Sequence, residues 1–454
     1  MHRSKQRTLW SVALAALVAA GAAPGVAAQG GVDIWEGLND PTLGRLIDEA
    51  LGSNPTLAAA EARIRGARAD RTTSLLDLAP ADTAVGGYTR QRMSGAAFPG
   101  LSGRLPEQDL WEAGLQMQWD LDVFGRGRKT FAARDGLVDA AREELRDSRV
   151  LLSTEVAASY FRLRGAQDRL AVARRNADNQ RRTLAMTEER LAAGRGTALD
   201  TERARAQLSS TLSAIPALES AVIAEQHRLS VLLGREPGVV LPEAGADRWT
   251  VPLPASVTPD DTESLLHRRP DVVAAERRAE AAGDLVGAAK AAYLPQISVR
   301  GAAGYTAGQF DALGDRGTPR YAVGPVISWP LLDLGRVKSG VDRARADEAE
   351  AEARYEYALL SARAEVATAE EAYRRAYERL GHLEAAAEAS ARATDLARLR
   401  FAEGAGDFLE VLDAERRQLE AEDRLSDGRT SATNALVGVV RALGVGILLA
   451  SGGS

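Results

Sequence analysis

The chain repeats itself, and each copy holds a proline-free helical stretch far longer than a compact domain can use. Sliding the second half over the first aligns Glu155-Val156-Ala157 with Glu365-Val366-Ala367, Trp119 with Trp329, Gly125-Arg126 with Gly335-Arg336, and Arg190 with Arg400, all 210 positions apart. Gly194 and Gly196 fall on Gly404 and Gly406, and Leu233-Gly234 on Leu443-Gly444. Upstream the offset is 215, pairing Glu61 with Glu276 and Pro80 with Pro295, so a small length change falls in the segment between. The copies span 53–236 and 268–446. A linker, 237–267, rich in Pro, Val and Asp joins them; a segment, 29–52, precedes them and a tail, 447–454, follows. A period this long lies outside the 20–50 residues of solenoids and reads as two fused halves.

Each copy has the same order of elements. A helix (55–78; 271–293) stops near Pro80 or Pro295, two short alternating segments follow, and a long run dominated by Ala, Arg, Glu and Leu comes next. These runs, about 128–193 and 338–403, predict rods of roughly 90–100 Å at 1.5 Å per residue. Each ends at a glycine-bearing turn, Ala193-Gly194-Arg195-Gly196 or Glu403-Gly404-Ala405-Gly406, where glycine accepts the left-handed conformation that stops a helix. A second helix then returns, with Pro216 expected to interrupt it in the first copy. The rods carry much Ala and few large side chains, which predicts a thin core per chain that neighbouring copies complete.

Residues 1–28 read as a secretory signal peptide. Arg3, Lys5 and Arg7 lead into an apolar stretch from Leu9 to Ala20, and small residues at Val26 and Ala28 suit cleavage before Gln29. No remaining stretch reads as a transmembrane helix, so a membrane function has to come from strands. The formal charge of −6 carries no basic excess for nucleic acid. With no Cys, disulfides, thiolate metal sites, a thiol nucleophile and an acylated N-terminal Cys are excluded; four scattered His and four Met argue against metal ligation. No G-x-S-x-G, H-E-x-x-H or P-loop appears, and His227, His267 and His382 lack paired ligands, so an enzyme is not expected, nor any cofactor.

The strands decide the class. Residues 111–121 alternate with Trp111, Ala113, Leu115, Met117, Trp119 and Leu121 on one face and Glu112, Gly114, Gln116, Gln118 and Asp120 on the other. The repeat partner, 321–329, places Tyr321, Val323, Pro325, Ile327 and Trp329 together. Weaker, Gly-rich strands are expected at 83–93 and 297–306. Tyr88, Trp111, Trp119, Tyr305, Tyr321 and Trp329 sit where interfacial aromatics of a membrane strand would sit. Four strands cannot close a membrane barrel, whose minimum is about eight. Two chains would give eight and three would give twelve; the strands alone do not choose.

Arg268-Arg269-Pro270-Asp271-Val272, Ala275-Glu276, Ala291-Ala292-Tyr293-Leu294-Pro295-Gln296-Ile297, Trp329-Pro330-Leu331-Leu332-Asp333-Leu334-Gly335-Arg336 and Leu232-Leu233-Gly234 together are specific. They resemble the outer-membrane factors of the TolC family, in the drug-efflux branch of OprM and NodT type, over nearly the whole mature chain. The resemblance implies an α+β membrane protein: a homotrimer whose four strands per chain close a twelve-stranded barrel, continued by a helical coiled-coil tunnel across the periplasm. It implies a duct that passively exports drugs or other small molecules, joined to a periplasmic adaptor and an inner-membrane pump of RND type. A type I protein-secretion duct shares this architecture, and a non-membrane periplasmic coiled coil is the further alternative. Many members of this branch carry a lipidated N-terminal Cys; this chain has none, so its anchoring is expected to rest on the barrel in outer-membrane lipid.

By the same resemblance Glu410 and Asp413, just after the second glycine turn, occupy the acidic positions that close the periplasmic end. Three apart on a helix, they share a face, and a trimer would stack them into rings that attract cations. Subtracting the repeat offset sets Asp200 opposite Glu410 and Arg203 opposite Asp413, which suggests that Arg203 pairs with an acid across neighbouring helices and latches the gate. The two turns, with Leu191, Gly194 and Leu199 in one copy and Phe401, Gly404 and Leu409 in the other, are expected to dock the adaptor.

Overall fold

A computed structural model describes residues 40–93, 106–238, 252–257, 264 and 266–444. The signal-peptide reading, most of the linker, and the tail lie outside the described residues. The chain runs α1 (Pro41–Ser53), α2 (Pro55–Leu76), β1 (Ala81–Gln91), β2 (Gln108–Asp120), α3 (Arg126–Ala192), α4 (Ala198–Leu232), α5 (Pro270–Ala291), β3 (Gln296–Ala307), β4 (Pro319–Ser328), α6 (Leu334–Ala402) and α7 (Phe408–Leu443). The 67 residues of α3 and 69 of α6 make rods of roughly 100 Å.

α3 and α6 run the whole height of the helical part, and two shorter helices join them at each level. Below, the lateral order is α4, α3, α7, α6; above, α2, α3, α5, α6. The exchange happens at a waist, where α4 and α7 end and α2 and α5 begin. Here the core is densest: Leu43, Leu46 and Ile47 of α1 meet Val156, Tyr160 and Phe161 of α3, Leu229 of α4, and Leu436, Val440 and Leu443 of α7. α1 has no counterpart in the sequence reading. Asp40 caps it, accepting from the Thr42 and Leu43 amides, and also accepts from the Tyr160 hydroxyl.

The four strands form one antiparallel sheet in the order β1-β2-β3-β4, so the two repeat hairpins are joined side by side. At the join Gly114 faces Gly304. A Cβ on Gly114 would lie 2.6 Å from the Ala303 carbonyl oxygen, and one on Gly304 would run into that of Ala113, so both must be glycine. The register collects Trp111, Leu115, Met117, Trp119, Tyr305, Tyr321 and Val323 on one face and Glu112, Gln116, Gln118, Arg300 and Arg320 on the other. Among the described residues, β1 and β4 each leave one edge unpaired.

Pro216 does not interrupt the return helix; α4 is continuous from Ala198 to Leu232. The proline is exposed, so the carbonyl four residues back loses its amide partner where solvent can replace it. Among the described residues, no helix is long and apolar enough to cross a membrane.

Candidate functional site

The two glycine turns close alike. The Arg195 amide donates to the Arg190 carbonyl (2.8 Å) and the Gly194 amide to Leu191 (3.0 Å); Ala405 to Arg400 (2.9 Å) and Gly404 to Phe401 (3.1 Å) repeat the pattern. Gly194 and Gly404 hold φ of 69° and 78°, the left-handed residue of this helix ending. The second glycine is needed for proximity: a Cβ on Gly196 would lie 3.2 Å from the Leu191 amide, and one on Gly406 3.2 Å from the Arg400 Cβ. Thr197 then caps α4 through the Asp200 amide, and Asp407 caps α7 through Leu409.

The acids near the turns are paired within the chain. Glu410 meets Arg400 (3.2 Å), and Asp413 meets Arg416 (3.0 Å) and Arg417 (2.8 Å). Asp200 accepts from the Thr197 hydroxyl (2.6 Å), a capping role. Arg203 is half-buried and, within the chain, pairs with neither Glu410 nor Asp413, because α4 and α7 lie on opposite sides of α3. Leu191, Leu199 and Leu409 are exposed. Phe401 is covered: it packs on Phe408 with ring centroids 5.5 Å apart, and the Arg190 guanidinium lies 4.1 Å from its centroid. Arg190 also donates to the Phe401 carbonyl (3.1 Å), tying the first tip to the second.

That tie ends a polar seam that residue-by-residue reading missed. Along α3 against α7, Arg169 grips Asp423 with two hydrogen bonds, Ser426 donates to Asp168, Asn176 to Glu422 and Thr183 to Glu415. Glu415 is 2% exposed and also accepts from Arg398 of α6. Gln180 is equally buried, and its amide atoms and Glu415 Oε2 have no partner. The repeat held a signal: the Arg398–Glu415 pair reappears with charges exchanged as Glu188–Arg205 (3.1 Å).

At the waist the Arg-Arg-Pro-Asp segment acts as a joint. The Arg269 side chain, 8% exposed, donates to both Asp271 oxygens, to Glu365 of α6 (2.9 Å) and to the Ala442 carbonyl at the end of α7. Its repeat counterpart is Asn54, which donates to the Leu232 carbonyl (2.8 Å), the counterpart of Ala442. Burial raises the Asp147 carboxyl pKa, and the nearby Asp271 and Glu365 add to the rise against Arg269 and Arg441. Among the described residues, no group of three or more His, Asp and Glu is placed to hold a metal ion.

On the sheet, the six aromatics share the apolar face and fall into two belts. Trp119 and Trp329 mark the helix end; each indole N–H is satisfied, on the Leu78 and Tyr293 carbonyls (both 3.0 Å). Tyr88 packs on Trp111 (ring centroids 4.6 Å apart) and donates to Asp109 at the far end, while in the register Tyr305 lies level with Ala113 and Tyr321 with Leu115. Trp111 to Trp119 is roughly 26 Å along the strand at ~3.3 Å per residue. Tyr321 is 86% exposed and Val323 71%, an apolar surface that water would not tolerate at this extent.

A sheet with a wide exposed apolar face, a polar reverse and two unpaired edges among the described residues, carried on two helical rods of roughly 100 Å, is not a soluble architecture. The model of the family described as outer membrane efflux protein matches residues 46–235 and 262–445. The chain belongs to that family. It is 32% identical over 416 residues to the outer membrane protein OprJ of Pseudomonas aeruginosa, covering 90% of this chain and 85% of OprJ. It is 30% identical over 408 residues to the toluene efflux pump outer membrane protein TtgF of Pseudomonas putida, covering 90% and 84%. The solved structure of the outer-membrane channel OprN matches with a TM-score of 0.81 and 36% identity, over 90% of this chain and 92% of that one. The family is the outer-membrane component of tripartite efflux pumps, and its members are transport channels. The OprM/NodT-type resemblance and the outer-membrane location stand.

Proposed function

We propose that three copies of this chain form one duct. Their twelve strands close a barrel in the outer membrane, and their helices form a tunnel through which small molecules leave passively. An inner-membrane transporter of RND type and a periplasmic adaptor deliver the cargo. The observation that carries this reading is the sheet: backbone groups on unpaired edges cost several kcal/mol each in lipid, so β4 of one copy pairs with β1 of the next until the ring closes. The polar face then lines the lumen, with Arg300 and the Glu112–Arg320 pair (3.1 Å) in it. Lower down, Glu410 and Asp413 form acidic rings at the entrance, and the exposed Leu191, Leu199 and Leu409 beside Gly194 and Gly404 receive the adaptor.

Names of relatives favour small-molecule efflux over protein secretion: TtgF is named for a toluene pump. The test is fractionation with native mass measurement. The reading expects heat-modifiable trimers in the outer-membrane fraction; a soluble periplasmic species, or an assembly of two, refutes it.

A further inference from the structure

Where the sheet passes into the helices, the ends of α2 and α5 and the starts of α3 and α6 border a cavity of about 740 Å³. That volume lies within the roughly 300–1,000 Å³ of small-molecule sites, which are mostly apolar with a few placed polar groups. The apolar wall here comes from Phe124, Leu294 and Val337, with Ile297 and Trp329 of the sheet's apolar face completing it. The polar groups are Asp77, Asp120 and Gln296.

The duplication has made the two sides of this cavity different. Asp77 corresponds to Ala292 at the 215 offset and Asp120 to Pro330 at the 210 offset, and all four residues line it. The first copy brings carboxylates where the second brings small or apolar residues at the same points of the fold, so neither acid is required by the local structure. Asp77 is the C-cap of α2, where the helix dipole disfavours negative charge, and Ala292 fills the same position after α5. Capping at the start of α3 falls to Asp122, which accepts from the Gly127 and Arg128 amides (2.8 and 2.9 Å). Asp120 has one oxygen on the Gln296 side-chain amide (2.8 Å). Its other oxygen, Oδ1, is buried and has no partner among the described residues. Arg126 lines the same cavity, but among the described residues no ion pair neutralises Asp77 or Asp120. A buried polar atom without a partner is rare enough to call for a reason. Uncompensated carboxylates beside aromatic and aliphatic side chains are complementary to a cation carried on an apolar body.

The strand register fixes the side of entry. Asp120 and Gln296 continue the face of Gln116 and Gln118, and Ser328, opposite Gln296, belongs to it too. In the trimer proposed above, that face lines the lumen. We propose that this cavity is a cargo site in the duct wall, taking amphipathic organic cations, with Asp120 as the residue that recognises their charge. The assignment rests on the trimeric duct reading and adds to it a substrate class.

The test titrates the purified protein in lipid nanodiscs with rhodamine 6G, a planar organic cation, and with fluorescein, an anion of similar size. Binding is read by fluorescence anisotropy, and native mass is measured on the same samples. Asp120→Asn keeps an oxygen for Gln296 and removes the charge; Asp77→Ala installs the residue that follows α5. Asp311→Asn removes an equal charge from the β3–β4 connection, at the other end of the sheet. Saturable binding of rhodamine 6G is expected. Asp120→Asn weakens it at least about fivefold, the weight of one unit charge at contact distance even in bulk water. Asp77→Ala weakens it independently, and Asp311→Asn leaves it unchanged. The bound dye is expected to be quenched by aqueous iodide and not by brominated lipid. Trimers that bind no rhodamine 6G saturably, bind fluorescein as well, or bind equally after both Asp120→Asn and Asp77→Ala overturn the inference. Quenching by brominated lipid overturns it too, by placing the cavity outside the lumen. A mass other than that of a trimer refutes the duct reading itself, and the inference with it, before any dye is added.

Discussion

Replacing Arg269 with Met keeps the aliphatic stem and removes every donor of the waist joint. The structure sets the size of the effect. The Ala442 carbonyl loses a buried partner, which costs about 1–3 kcal/mol. Asp271 and Glu365 are 37% and 53% exposed, so water takes over part of their solvation and each ion pair counts for about 1 kcal/mol or less. The sum is ~2–4 kcal/mol. Asn54→Ala, the repeat counterpart, loses the Leu232 contact and the cap on the Thr56 amide (2.8 Å), about 1–2 kcal/mol. Arg269→Lys keeps the charge but not the fork that spans three partners, and falls between. The assay is denaturant unfolding in detergent followed by the helical signal. An Arg269→Met variant no less stable than Asn54→Ala would refute the assignment of Arg269 as the joint of α5, α6 and α7.

Three further outcomes follow from the same contacts. The raised Asp147 pKa means that the fold binds its proton more tightly than the unfolded chain. Its contribution is full at acid pH and lost as pH rises through the raised pKa, so Asp147→Asn raises stability at pH 7 and flattens the pH profile of the midpoint. Gly404→Ala forces a Cβ into the left-handed region and costs ~1–2 kcal/mol, read as earlier proteolysis at the tip with barrel assembly intact. Gly304→Val drives a side chain into the Ala113 backbone, separates β2 from β3, and is expected to abolish heat-modifiable trimers.

What the sequence revealed depended on how many constraints met at each position. β2 was legible because its two faces differ at almost every residue; β3 was weaker because part of its pairing rests on backbone proximity at Gly304 opposite Gly114, which leaves no hydrophobic pattern, and β1 because its exposed residues, with Gly86 and Gly87 among them, alternate little. The long helices were legible from composition and missing prolines. Pro216 misled because a proline is costly only where its lost hydrogen bond has no substitute, and this one is exposed. α1 gave little to align, because only scattered apolar positions such as Leu51 and Leu266, 215 apart, echo it in the second copy. At the helix tips the glycine turns were legible, yet the arginine partners of Glu410 and Asp413 were not, and the expected pairing of Arg203 with one of these acids is absent within the chain, since offsets pair repeat positions and not spatial neighbours. The Asn54–Arg269 correspondence was present at the 215 offset, but amide and guanidinium share little except the ability to donate to a helix-end carbonyl. Buried Glu415 looked like any surface acid, because only the packing of α7 on α3 decides which side of a charged helix faces inward.

Single-channel conductance of the purified mature protein in a planar bilayer, comparing the native sequence with Glu410→Ala/Asp413→Ala, tests the central claim most directly. The account predicts a small, cation-preferring conductance that grows, or loses its preference, when the acids are removed. Verified trimers that conduct in neither form would contradict it.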